Sequence, residues 1–255
     1  MRAPAEGRAR AYLRTNAGKI EGVQPGVAEG VADMTSADVT IVTIIEGLRK
    51  LDTTSVSDAL DRLGIAGGLH GIRPIVEGVS FCGPAFTVHY VPCGVVKGTV
   101  GDFLDDVEPG QVVVIDNGGR TYCTVWGDLM TINASQRGIA GTVIDGVCRD
   151  VPGIRKLRYP IFTKGCYMVT GKDRVQCDGV GIPVSISGIQ VKPGDIVLGD
   201  DSGALVVPAE KAEEVYRVAQ EIARKEAIIE DDVQKGVPLR EARAKLGYHA
   251  LQTRS

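Results

Sequence analysis

The 255-residue chain has no block of like charge: 29 Lys and Arg stand against 32 Asp and Glu, for a net charge of -3. Binding to a nucleic acid or an anionic membrane needs a basic stripe that neutralises phosphates, so neither is an expected partner. No apolar run approaches the ~18 residues of a membrane span, and no apolar stretch follows the N-terminal arginines as it would in a secretory signal. The six cysteines (Cys82, Cys93, Cys123, Cys148, Cys166 and Cys177) include no Cys-x-x-Cys pair. Most sit among β-branched or aromatic neighbours, the usage of small core residues in a reducing cytosol and not of a disulfide framework or zinc site. A soluble, cytoplasmic protein is expected.

Catalytic signatures are also scarce. No Gly-x-Ser-x-Gly, P-loop or strand-borne Gly-x-Gly-x-x-Gly occurs, which argues against a serine hydrolase, a P-loop NTPase and a Rossmann dehydrogenase. His70, His89 and His249 stand alone, without the paired spacing of metal ligands, and read as structural. Cys148 adjoins Arg149, a neighbour that lowers a thiol pKa, but it has no evident histidine partner and reads as a core residue.

What is present has a clear order. The length suits one main domain with tails. Residues 1–37 are rich in Ala, Gly, Arg and Glu without periodicity and read as a mobile arm. The compact part, 38–208, opens with Ile41, Ile44, Ile45, Leu48 and Leu51 at helical spacing. Residues 54–64 then read as a capped second helix ended by Gly64. Short Val/Ile-rich runs follow, predicting strands over 86–91, 111–116, 141–147, 159–162, 183–186, 195–198 and 204–207, with glycines at their turns. Segments 107–118 and 191–203 resemble each other and read as two similar turn-then-strand units. The remainder, 209–255, predicts a long charged helix from Glu210 to about Gln234, polar enough to lie outside the sheet or across a subunit contact. Gly236 and Pro238 separate it from a last helix near 240–246.

Two segments carry the chemistry. Trp126-Gly127-Asp128-Leu129-Met130 precedes a predicted helix over 129–136. A glycine there lets backbone approach a ligand, and first-turn N–H groups bind carboxylates, while the plainer reading of Asp128 in this segment alone is an N-cap. Twenty residues on, Arg149-Asp150 ends an apolar run. A guanidinium beside a carboxylate at a strand end is either an ordinary ion pair or an anion clamp with a metal ligand. The spacing permits both segments to converge on one pocket.

With these motifs stand Thr53-Thr-Ser-Val-Ser-Asp-Ala-Leu60, Gly83-Pro-Ala85, Pro109-Gly-Gln-Val112, Ile144-Asp-Gly-Val-Cys-Arg-Asp150 and Pro193-Gly-Asp-Ile196. Their order resembles the group of 4-hydroxy-4-methyl-2-oxoglutarate (4-carboxy-4-hydroxy-2-oxoadipate) aldolases and the regulator of ribonuclease activity A. The resemblance covers about residues 50–210. It implies an α/β fold, a β/β/α swivelling-domain-like sandwich with N-terminal helices and a C-terminal helical extension, assembled as trimers or hexamers. It further implies a class II pyruvate aldolase using Mg²⁺ or Mn²⁺, with oxaloacetate decarboxylation as a second activity. By resemblance Asp150 is the metal ligand and Arg149 grips the substrate carboxylate and C2 oxygen. The N–H groups of Leu129 and Met130, after Gly127, hold the pyruvate carboxylate, and Asp128 orients a water. The chain departs from the group at Gly153, at loop 94–98 and at Val237, which implies a changed distal pocket; Lys172 is a candidate contact there. The alternative functions are a binding protein that regulates an RNA-degrading enzyme and a metal lyase acting on another sugar-acid-like 2-oxo acid.

Overall fold

The computed structural model describes residues 41–95 and 98–248. The arm expected over 1–37 lies outside them, as do His249 and Val96–Lys97 of the loop that departs from the group. Two helices lead in, α1 (Ile41–Leu48) and α2 (Thr53–Arg62). Asp52 caps α2, its carboxylate accepting the Ser55 N–H at 2.7 Å. Gly64 closes the helix in the left-handed region at φ 68°.

The centre is a mixed eight-stranded sheet. Its strands are β1 (Arg73–Pro74), β2 (Phe81–Pro92), β3 (Val112–Thr124), β4 (Gly141–Cys148), β5 (Ile161–Cys166), β6 (Val175–Val180), β9 (Ile196–Asp200) and β10 (Gly203–Val207). A separate hairpin is formed by β7 (Val184–Ile186) and β8 (Ile189–Val191). The order is β1-β5-β4-β3-β2-β9-β10, with β6 also paired to β2. Strands β2 to β5 run parallel, joined by two β-helix-β crossings through α3 (Asp128–Gln136) and α4 (Val151–Leu157). Their carboxyl ends therefore emerge on one side. All eight residues of β4 are buried, as expected for a central strand covered on both faces.

β2 extends well beyond the predicted run of 86–91. Its first half pairs antiparallel with β9 and its second half with β6, so one long strand is flanked by different partners along its length. Gly83 lies within it because the carbonyl of Gly110 would stand 2.2 Å from any Cβ at that place. β6 was not anticipated: only its first residue, Val175, is buried, and it carries Asp178 and Gly179 among its apolar residues, which dilutes a strand signal.

A second apolar cluster joins α1 and α2 to β9, β10 and the long helix α5 (Ala212–Gln234), which precedes α6 (Leu239–Lys245). α5 is polar outside but buries Ala212, Val215, Val218, Ala219, Ile222 and Ile229 along one stripe. The helix expected outside the sheet thus covers the chain's own helical layer. Among the described residues no helix is long and apolar enough to cross a membrane. The six cysteines are free; Cys166 departs from the expected core placement by being exposed.

Candidate active site

The crossing β3-α3-β4-α4 brings both candidate segments to one place. The Arg149 N–H at the end of β4 donates to the Trp126 carbonyl at 3.0 Å, which ties the exit of β4 to the entrance of α3. Between them opens a cleft of about 410 Å³, lined by residues 98–100 and 124–130 with Arg149, Asp150, Thr170 and Lys172. Gly127, Asp128, Leu129, Met130, Arg149 and Asp150 all line it, and so does Lys172. Val237 lies in the turn between α5 and α6, and is not part of the lining.

Gly127, and not Asp128, is the N-cap of α3; Asp128 is its first helical residue. The Asp128 carboxylate nevertheless turns onto the first turn, where Oδ1 accepts the Leu129 N–H at 2.8 Å. The Asp128 N–H donates to Asp150 Oδ2 at 3.3 Å, and Arg149 Nε lies 3.3 Å from the same oxygen. The ladder of α3 starts with Thr131 N–H to the Gly127 carbonyl, so the amides of 128–130 lie ahead of it. Two of those three are already directed at Asp150 and Asp128 carboxylates.

Asp150 adopts a left-handed conformation, φ 58° and ψ 35°, as the N-cap of α4. A non-glycine residue held there stores on the order of 1 kcal/mol or more. The turn directs its carboxylate back over Gly127, where a Cβ would stand 2.6 Å from Oδ2. Glycine at 127 therefore makes room for the carboxylate of 150. Gly153 has a similar part: a Cβ there would lie 3.2 Å from the Cβ of Asp128. The departure at 153 lets α4 close tightly on Asp128.

Asp150 and Arg149 are each open to solvent, with side chains 37% and 41% exposed. Cys148, one residue before, is buried; burial raises its thiol pKa to about 12, and nearby Cys166 adds to the rise. Burial outweighs the adjacent guanidinium, and Cys148 is the core residue the sequence indicated. His70 is exposed, and His89 lies outside the cleft with Nδ1 3.6 Å from Asp178.

No set of three or more His, Cys, Asp or Glu side chains able to hold a metal occurs among the described residues. Asp150 lines the cleft and takes the Asp128 N–H and Arg149 Nε at Oδ2, not at Oδ1. One such oxygen fits a hard cation that keeps most of its waters, not a closed protein cage. Of the rest of the lining, Gly98 ends the loop 94–98 that the sequence singled out, but sequence reasoning missed Thr99, Val100 and Thr170, because these loop positions carry no motif and reach the cleft only through the fold.

The RraA-like family, described as Aldolase/RraA, matches residues 53–206. The chain belongs to this family. It is 39% identical over 212 residues, 82% of its length, to the protein DlpA of Legionella pneumophila, and spans about a third (34%) of that longer protein. It is 32% identical over 190 residues to a protein of Halalkalibacterium halodurans provisionally named 4-hydroxy-4-methyl-2-oxoglutarate aldolase, covering 73% of this chain and 85% of that one. A crystal structure of an uncharacterised protein from Pseudomonas syringae pv. tomato superposes with a TM-score of 0.74 at 42% identity, covering 79% of this chain and 97% of that one.

Proposed function

We propose that this RraA-like protein is a divalent-metal-dependent lyase that cleaves a 2-oxo acid by a retro-aldol reaction and releases pyruvate. The observation that carries the proposal is the convergence of Asp128, Arg149 and Asp150 with the first turn of α3 on one cleft. The relatives named as aldolases support the reaction class.

In this reading Asp150 holds Mg²⁺ or Mn²⁺, which when bound supplies Lewis-acid polarisation of the 2-oxo group. Arg149 pairs with the substrate carboxylate and the C2 oxygen, where negative charge grows as the enolate forms. The substrate carboxylate takes the N–H groups of Leu129 and Met130 after Gly127, displacing the Asp128 carboxylate from Leu129. Asp128 is then released to accept the proton of the C4 hydroxyl through an intervening water. As C4 becomes a carbonyl the C3–C4 bond breaks, its electrons form the enolate of pyruvate, and a proton returns to C3. Oxaloacetate decarboxylation passes through the same enolate, so it follows as a second activity. Lys172 and the wall at 98–100 face the far end of the substrate, where this chain departs from the group. The working assembly is a homotrimer or homohexamer.

The test is pyruvate release from 4-hydroxy-4-methyl-2-oxoglutarate and from oxaloacetate, with Mg²⁺ or Mn²⁺ and with EDTA. Turnover that EDTA abolishes, and that Asp150→Ala and Arg149→Ala both lose, is the expected result. Absence of metal-dependent turnover on every 2-oxo acid tried would sink the reading. Co-purification with an RNA-degrading enzyme would then favour the regulator that the other half of the family's description names.

A further inference from the structure

We propose that Trp126 and Thr131 are positioning residues that aim the carboxylate-binding turn of α3, an inference that rests on the 2-oxo-acid reading above. Trp126 is 2% exposed and Thr131 fully buried, and the indole Nε1–H donates to Thr131 Oγ1 at 2.9 Å. That hydroxyl donates in turn to the Gly127 carbonyl at 2.9 Å. An indole only donates and a hydroxyl has a single proton, so the direction of the relay is fixed. The same carbonyl also receives the Thr131 backbone N–H at 3.1 Å.

The Gly127–Asp128 peptide is therefore held at both ends. Its carbonyl is gripped by Thr131, and its N–H points at Asp150 Oδ2. The orientation of this peptide sets where the next amides, those of Leu129 and Met130, face. The relay is anchored deeper still: the Trp126 ring stacks on Tyr159, with centroids 6.1 Å apart and planes at 8°, and the Tyr159 hydroxyl pairs with Thr142 Oγ1 on β4 at 2.9 Å. The backbone carbonyl of Trp126 accepts the Arg149 N–H. One buried residue thus connects both halves of the site, through its side chain to α3 and through its backbone to β4. An apolar pair could fill the same volume; what the polar chain adds is direction.

The experiment uses the full chain and three variants: Thr131→Val removes the relay with little change of volume, Thr131→Ser keeps the hydroxyl, and Trp126→Phe keeps an aromatic ring without the N–H. Oxalate serves as the binding probe, measured by calorimetry with Mg²⁺ present, alongside KM and kcat for oxaloacetate and urea midpoints. Thr131→Val and Trp126→Phe are expected to weaken oxalate binding and raise KM by about 3- to 10-fold, the worth of one hydrogen bond, with kcat changed far less. Thr131→Ser should restore both. If Thr131→Val shifts the urea midpoint but leaves oxalate binding and KM unchanged, or if Thr131→Ser is as poor as Thr131→Val, the relay only packs the core and the proposal is overturned. Oxalate binding without turnover in the wild-type chain would sink the lyase reading while leaving the relay to be judged on binding. No oxalate binding by the wild-type chain would overturn the relay.

Discussion

Four aspartates gather at the carboxyl end of the parallel strands, and they form two contrasting pairs. Asp116 and Asp145 sit side by side on β3 and β4, 9% and 6% exposed. Asp116 accepts the N–H groups of Gly118 at 2.8 Å and Ser185 at 3.2 Å. Asp145 pairs with Lys164 at 2.5 Å and accepts the Ser187 N–H at 3.3 Å. Both carboxylates are spent on the protein itself, pinning the hairpin β7–β8 over the strand ends. Asp128 and Asp150 are exposed, and each has one oxygen engaged by the first turn of α3. The same side chain at the same end of one sheet is structural where both its oxygens are engaged and, in the proposed lyase reading, available for chemistry where one stays open.

That contrast can be broken by substitution. Asp150→Ala should lower pyruvate release from oxaloacetate by about 10²- to 10³-fold, on the scale of losing one charge-stabilising group, while the urea midpoint moves little. Asp145→Ala should do the opposite, costing about 3 kcal/mol of stability because Lys164 is left half-buried without its partner; equilibrium unfolding measures it, and kcat of the folded fraction stays near wild type. Asp116→Asn keeps shape but sets a donor-only NH2 where one of the two oxygens accepts an N–H, so one hydrogen bond is lost and the other goes to an uncharged acceptor, for an expected loss of about 2 kcal/mol in the same measurement. The smallest effect sharpens the comparison most: Asp150→Gly and Asp150→Ala should be equally inactive, yet Gly should be the more stable by about 1 kcal/mol. Only alanine has to hold the left-handed conformation at φ 58°. Equal stability of the two would remove backbone strain from the account of this site.

Much of this arrangement was legible in the residues. Gly64 ended α2 as expected, and segments 107–118 and 191–203 did form two turn-then-strand units, with Gly110 at φ 82° and Gly194 at φ 87°. These are local effects, carried by side-chain caps and by the steric freedom of glycine. The two units nevertheless diverge: β3 runs parallel to β2 on one side, and β9 antiparallel to it on the other. No residue within either unit states that choice. β5 was displaced from 159–162 to Ile161–Cys166 because pairing with β4 carries it through the polar Thr163, Lys164 and Gly165. Pairing to a central strand overrode local character there.

The sequence by itself determined the described helices other than α4, most strands, the family, and the residue types at the candidate site, because these rest on periodicity, turn chemistry and short motifs. Only the tertiary structure decided that Arg149 would meet Trp126, that Gly127 would make room for Asp150, and that Asp116 and Asp145 would be consumed by the hairpin. Each of these depends on chain segments about 20 to 70 residues apart packing within hydrogen-bond distance, and contacts at that separation follow from how the strands are ordered, which no local pattern encodes.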